Sequence, residues 1–388
     1  MTGATFKVPL LFPALASVRI PPHQHTLGDE LCRVFLDVAL WVIIILKDTT
    51  PIKETSKEIW MTKRRILSGM RPSGRLHLGN YLGALTNWVK LQEEYDCYFM
   101  VADWHALTDR TDTSSICEDT REVLIDWLAA GLDPDKSVLF VQSHIPEHAE
   151  LHLILSMITP LSWLERCPTY KDKIATGASI HYGLLGYPVL QAADILMYHA
   201  EKVPVGEDQL PHLELTREIA RRFNNLYEPV LSEPEPILSN SPRILGLGGQ
   251  RKMGKSFGNY IALSDSPDII TKKIVSMFTD PKKIRKSDQG HPDTCNVHTY
   301  HTIFAPALGQ SVAGIAPACQ QGTRGCVACK RELAEILVEY LSPIREQRKL
   351  LEQDQSYLEK VVKLGQQRAR AAASDTMTQI RRAIHFAC

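Results

Sequence analysis

A chain of 388 residues, with 44 Lys/Arg against 44 Asp/Glu and 44% hydrophobic residues, has the composition of an ordinary globular protein of roughly two domains. Zero net charge argues against holding nucleic acid by bulk basicity, although nine Lys/Arg against four Asp between Arg251 and Gly290 make a local basic stretch. Nine scattered cysteines, an odd number, argue against a disulfide framework and for a reducing compartment such as the cytoplasm.

Residues 1–60 read as an extension outside the fold. Their apolar run VALWVIIIL (38–46) is far shorter than the roughly twenty residues a bilayer span needs. It also sits too deep, behind acidic residues and histidines, for a signal peptide, so no membrane partner is expected. Met61 then opens MTKRRIL, a natural start for a first strand.

From Arg64 strands and helices alternate. RRILSGM reads as a strand leading into the loop RPSGRLHLGN. NYLGALTNWVKLQEEY follows as a helix, with Leu82, Leu85 and Val89 on one face. CYFMVADW and SVLFVQS are buried strands, separated by the helix REVLIDWLAA, which Gly131 stops. ELHLILSMI is a helix, KVPVGED an extended piece, LELTREIARRFNNLY a helix. The prolines of EPVLSEPEPILSNSP predict a long connection. Past Asp265 the pattern is helical, interrupted by Pro343 and Gly365. The order predicts an α/β protein: a Rossmann-like parallel-sheet catalytic domain over 61–265, then a smaller all-helical domain over 266–388.

GQRKMGKS (249–256) matches the phosphate-cradling pattern G-x-x-x-x-G-K-[ST] letter for letter. That pattern requires a helix directly after it, whose N-terminal amides hold phosphate. FGNYIALSDSP is a poor helix start, so a P-loop is not expected. HLGN (77–80) offers a second phosphate site, a loop ending at a helix start with His77, Gly79 and Asn80. Two such segments suit adenylyl transfer, with Lys252 and Lys255 neutralising charge on departing pyrophosphate.

YPVLQAADILMY (187–198) carries Tyr187, Gln191, Asp194 and Tyr198 on one face of an apolar helix. A half-buried polar stripe of this kind lines pockets. An indole N–H can only donate, and ionised Asp194 can only accept, so this carboxylate suits selection of tryptophan. Cys295, Cys319, Cys326 and Cys329 form C-x23-C-x6-C-x2-C. Four thiolates suit structural zinc or a [4Fe–4S] cluster, and the spacing alone does not choose.

HLGN and KMGKS resemble the two signature segments of class I aminoacyl-tRNA synthetases, usually HIGH and KMSKS. GMRPSGRLHLGNYLGAL, VADWHALT, YPVLQAADILMY and VPVGEDQLPHLELTREIARRFN resemble the bacterial tryptophanyl branch. The resemblance runs from about Met61 to the C-terminus. It implies ATP-dependent ligation of L-tryptophan to tRNA(Trp) through a tryptophanyl-adenylate, by a cytoplasmic homodimer. It implies catalytic roles for His77, Asn80, Lys252, Lys255 and Ser256. ATP, with Mg²⁺, would lie on Arg71, Pro72, Ser73, Gly79, Asn80, Lys173, Gly206, Glu207 and Asp208, and on the loop Lys252, Met253, Gly254, Lys255 and Ser256. Tryptophan would be held by Asp194, with Tyr187 and Gln209 on its α-ammonium group, in a pocket lined by His105, Val203 and Val205; Gln191 joins this substrate site as a member of the polar stripe. A subset of the family carries nearly this cysteine pattern with a [4Fe–4S] cluster, which selects the cluster over zinc. Gly254 stands where serine is usual. Tyrosine specificity on the same fold and a catalytically weak tryptophan- or RNA-binding paralogue are the rival readings.

Overall fold

The computed structural model describes residues 63–177, 180–238 and 244–386. The expectations for residues 1–60 lie outside them. Residues from Lys63 to Cys388 form one compact unit.

The apolar run RILSGM is β1 (Arg65–Met70). A short helical segment, Leu78–Asn80, and a π-helical turn, Tyr81–Leu85, lead into α1 (Thr86–Glu94). β2 (Asp96–Val101), α2 (Ile116–Ala129), β3 (Ser137–Val141), α3 (Glu147–Ile158) and α4 (Tyr182–Met197) follow. Then come β4 (Lys202–Val205), α5 (Leu210–Leu226) and β5 (Glu235–Leu238). The strands pair in parallel in the order β3-β2-β1-β4-β5.

Every residue of β2 and β3 is buried, as expected for central strands covered on both faces. Alternation sorts them between two apolar layers. Cys97, Phe99 and Leu139 join the layer of Trp88 and Trp127; Tyr98, Met100 and Phe140 join that of Tyr198 and Phe223. Trp88 stacks on Phe99 at 4.7 Å and meets Trp127 edge-on at 5.4 Å.

The chain from 266 onward contains no strand among the described residues. Its principal helices are α6 (Pro267–Val275), α7 (Asn296–Phe304), α8 (Cys326–Tyr340), α9 (Ser342–Gln353) and α10 (Gln355–Ala383). The α/β class with a parallel sheet followed by helices is as expected.

Two local readings are corrected. The proline-rich connection contains β5, in which Pro236 pairs with Val203 of β4. A strand at the sheet edge needs ladder bonds on one side only, so a residue without an N–H is tolerated there. Gly365 does not interrupt the tail; it lies buried inside α10. A Cβ at 365 would stand 1.7 Å from the carbonyl oxygen of Leu139. The glycine is present because the helix backbone meets the backbone of β3. Pro343, by contrast, opens α9 in its first turn, where a missing N–H costs nothing.

Candidate active site

In this strand order the direction of winding reverses between β1 and β4, and the crevice outside their carboxyl ends is the expected binding place. A cavity of about 550 Å³ lies there. Of the residues singled out above, Arg71, His105, Lys173, Tyr187, Gln191, Asp194, Val203, Val205, Gly206 and Gln209 line it. The π-helical turn adds Gly83 and Ala84 to the wall, and α1 adds Asn87 and Trp88.

Asp194 is 1% exposed and is the hub of this cavity. Its Oδ2 accepts from His105 Nε2 at 2.7 Å, its Oδ1 from His148 Nδ1 at 2.6 Å, and Gln142 Nε2 reaches both oxygens at 2.8 and 3.0 Å. Burial pushes the carboxyl up, but the hydrogen bonds and positive field of His105 and His148 outweigh it and hold Asp194 at about 2. It is therefore an acceptor fixed in place by three polar donors. Tyr198, the fourth member of the stripe, does not line the cavity. It is fully buried, and its hydroxyl meets His148 Nε2 at 2.8 Å, orienting the ring that serves Asp194.

At the mouth, Arg71 Nη1 bonds both oxygens of Asp109 at 2.9 Å, and Lys173 Nζ lies 3.8 Å from the same carboxylate. The Tyr187 hydroxyl pairs with His212 Nε2 at 2.7 Å. Gly206 precedes a 3-10 turn, Glu207–Gln209, which sets Glu207 and Asp208 beside the cavity lining.

The remaining singled-out residues gather at a second place. His77 and Asn80 cap one another: His77 Nδ1 accepts from the Asn80 amide at 3.3 Å, and Asn80 Oδ1 accepts from the His77 amide at 3.2 Å. Burial, then the charges of Lys255 and Lys252, depress the His77 pKa to about 4. The ring is neutral at pH 7, and because Nδ1 accepts, its proton sits on Nε2. Gly79 has Met253 against it, 3.5 Å from where a Cβ would stand, so the lysine loop closes directly on HLGN. Lys255 Nζ donates to the carbonyl oxygen of Ser73, and burial lowers its pKa. Pro72 is buried, its carbonyl accepting from Arg110 at 3.3 Å, while Lys252 and Ser256 are exposed. Beyond the loop, Leu78 N–H donates to Ile261 at 3.0 Å and Leu263 N–H to Leu76 at 2.9 Å.

The P-loop reading fails on structure as well. Lys255–Phe257 is a single 3-10 turn ended by left-handed Gly258, not the start of a helix. An anion-binding helix N-terminus is absent where the motif needs one.

The family described as tRNA synthetases class I (W and Y) matches residues 61–342. The chain belongs to this family. It is 44% identical to the tryptophan–tRNA ligase of Aquifex aeolicus, over 83% of this chain and all of that one. It is 49% identical to the tryptophan–tRNA ligase of Thermotoga maritima, over 83% of this chain and 99% of that one. Among solved structures, tryptophanyl-tRNA synthetase of Campylobacter jejuni complexed with ADP and tryptophan superposes with a TM-score of 0.75. That match is at 35% identity and covers 83% of this chain and 99% of the other.

In this synthetase Gly254 needs no glycine. Its backbone is extended, at φ −168° and ψ 147°, and a Cβ would meet only the Phe257 ring at 3.4 Å. The left-handed position that does favour glycine is Gly258, at φ +61°. Gly254→Ser is therefore expected to leave pyrophosphate exchange equal or higher. A large loss in that assay would show that the loop depends on glycine at 254.

The four cysteines of the synthetase lie away from this site and line a small cavity together with Arg324 and His298. Cys295 precedes α7, Cys319 lies in the short helix Ile315–Gln320, and Cys326 and Cys329 sit on the first turn of α8. Burial raises the Cys319 and Cys329 thiols; Lys283 opposes it at Cys319 and Arg324 at Cys329, while Cys295 adds to both and Cys326 to Cys319. All four are free. Among the described residues, no three His, Cys, Asp or Glu side chains stand close enough together to hold a single metal ion.

Sequence reasoning missed Gln142, His148, Asp109 and His212. Gln142 had a signal, a polar residue at the carboxyl end of a buried strand. The other three had none, since each matters through a partner distant in the chain.

Proposed function

We infer that this synthetase ligates L-tryptophan to tRNA(Trp), consuming ATP and releasing AMP and diphosphate through a tryptophanyl-adenylate. The observation that carries the reading is Asp194, a buried, ionised, triply bonded acceptor on the wall of a cavity that opens at the β1–β4 switch point. An indole N–H satisfies such an acceptor, whereas a phenyl ring leaves it less well paired.

The tryptophan carboxylate attacks the α-phosphorus, and pyrophosphate departs. No side chain forms a covalent bond; positioning and charge stabilisation carry the rate. Neutral His77 offers its Nε2–H and Asn80 its side-chain NH₂ group to phosphate oxygens. Lys252 and Lys255 take up the charge that grows on the leaving group, with Ser256 beside them. Arg71 and Lys173 exchange Asp109 for phosphate, and Pro72, Ser73, Gly79, Gly206, Glu207 and Asp208 shape the remaining nucleotide contacts. Mg²⁺ accompanies ATP, held chiefly through phosphate oxygens and water. Gln191, Tyr187 and Gln209 receive the amino-acid backbone, and His105, Val203 and Val205 its ring. Exchange of labelled pyrophosphate into ATP that requires tryptophan, and that tyrosine does not support, is the expected result. Exchange driven by tyrosine would overturn the specificity, and no exchange with either would favour a non-catalytic relative.

The split at 265/266 is functional: residues 61–265 activate tryptophan and residues 266–388 receive the anticodon end of tRNA. Free cysteines suit a cytoplasmic enzyme. Among the described residues no helix is long and apolar enough to cross a membrane. The active species is a homodimer, as the family resemblance implies.

Cys295, Cys319, Cys326 and Cys329 hold a [4Fe–4S] cluster. Zinc needs all four sulfurs within about 2.3 Å of one point, whereas a cluster gives each thiolate its own iron and tolerates a wider perimeter. Lys283 and Arg324 beside the cavity offset the negative charge of four thiolates. Bound in this way the cluster would pin the segment from Cys295 to Cys319, with α7 and the short helix Ile315–Gln320, to the start of α8. Protein purified without oxygen is expected to be brown and to contain iron and sulfide. Changing Cys326 and Cys329 to Ser should remove the colour and weaken tRNA charging, while pyrophosphate exchange survives. Stoichiometric zinc without iron would replace the cluster by zinc, and absence of any metal would remove the site.

A further inference from the structure

A buried ionic cluster stands apart from both the cavity and the cysteines. Arg348 of α9 is 2% exposed, among the largest fully buried side chains described. Its Nη1 donates to Asp126 Oδ1 and its Nη2 to Glu122 Oε2, both on α2. Its Nε lies 3.1 Å from Glu352 Oε1. Replacing such a cluster by apolar side chains commonly costs a protein no stability, so its presence calls for a reason other than stability.

That reason lies on the other side of the carboxylates. Asp126 Oδ2 accepts the Leu76 N–H at 2.6 Å, and Glu122 Oε2 accepts Arg75 Nε at 2.8 Å. These two residues immediately precede HLGN. On their far side, Leu76 and Leu78 are bonded to Leu263 and Ile261, just beyond the lysine loop. The segment Arg75–Leu78 is thus clamped between α2 and the strand-like piece that follows Lys255. Lys255 itself feels the charges of Asp119, Asp126 and Glu122. Two neighbouring buried carboxylates repel one another, and the one cation that bonds both, Arg348, comes from the helical part of the chain, while Arg75 bonds Glu122 alone.

We propose that Arg348 is a positioning residue for the nucleotide half of the active site, acting through Asp126 and Glu122 on the segment that presents His77. It touches no substrate. It ties the helical region, where tRNA would bind, to the place where adenylate forms. The proposal rests on the synthetase reading above.

The test uses the full chain with Arg348→Gln and Arg348→Lys. Tryptophan affinity, measured by titration, should stay unchanged in both, because the cavity around Asp194 is not part of the clamp. For Arg348→Gln, kcat/KM for ATP in pyrophosphate exchange should fall about a hundredfold, the cost of a small misplacement of catalytic groups. Arg348→Lys keeps the charge but not the two-pronged grip, so a loss of about tenfold is expected. Equal losses in tryptophan affinity and ATP kcat/KM, or no loss in either, would overturn the proposal. If Arg348→Gln does not fold, Arg348→Lys carries the test alone. Amide hydrogen exchange over residues 75–80 needs no substrate. Faster exchange there in Arg348→Lys supports the clamp and unchanged exchange refutes it, even if the wild-type chain proves unable to activate tryptophan.

Discussion

Lys255→Ala should depress tryptophan-dependent pyrophosphate exchange by about 2–4 kcal/mol of barrier, the scale seen when one transition-state donor is removed. Tryptophan affinity should change little. The argument begins with where the ammonium sits. Lys255 is half-buried and poorly hydrated, which lowers its pKa, and it donates to a backbone carbonyl of the loop before HLGN. A charge held in such a place interacts more strongly with a developing anion than it would in water. Because negative charge accumulates as pyrophosphate leaves, the loss should appear in kcat more than in the KM for ATP. A second readout follows from His77. Lys255 is the larger of the two cationic influences that depress that ring to about 4. Removing it should raise the His77 pKa, while burial still keeps it below the ordinary histidine value; an NMR titration checks the direction. Unchanged pyrophosphate exchange in the variant would remove Lys255 from the mechanism.

Asp194→Asn should raise the KM for tryptophan by the equivalent of about 1–3 kcal/mol. The variant should remain folded, since an amide has nearly the same shape. Three donors converge on the carboxylate in the native chain: His105, Gln142 and His148. An amide offers one acceptor oxygen in place of two and turns an NH₂ group toward at least one of these donors. One imidazole must then rotate or give up its hydrogen bond, and the acceptor for the indole N–H is no longer fixed. Weakened discrimination between tryptophan and phenylalanine in pyrophosphate exchange should accompany the higher KM. Wild-type tryptophan activation in Asp194→Asn would show that indole recognition lies elsewhere in the cavity.

The strands β1 to β4, the principal helices between them and the helix start at HLGN were legible in the chain because they depend on neighbours a few residues away. Apolar runs bounded by polar turns become covered strands, and a polar stripe on an apolar helix becomes a cavity wall. Asp194 could be singled out on this basis, and the glycine–lysine match could be separated from a P-loop by the residues that follow it. The rest depended on partners that local pattern does not encode. Pro236 lies in a strand only because that strand is at an edge, and edge position is a property of the assembled sheet. Gly365 reads as a helix breaker until β3 is placed against it. Asp194 receives donors 46, 52 and 89 positions away, which turn an acidic residue on a helix into a fixed acceptor. Arg348 looks like one more exposed charge on an amphipathic helix, yet it is buried against Asp126, 222 positions earlier. Side-chain chemistry and spacing fix what a residue can do; which of those capacities is used depends on the groups that packing brings within hydrogen-bond distance and shields from water.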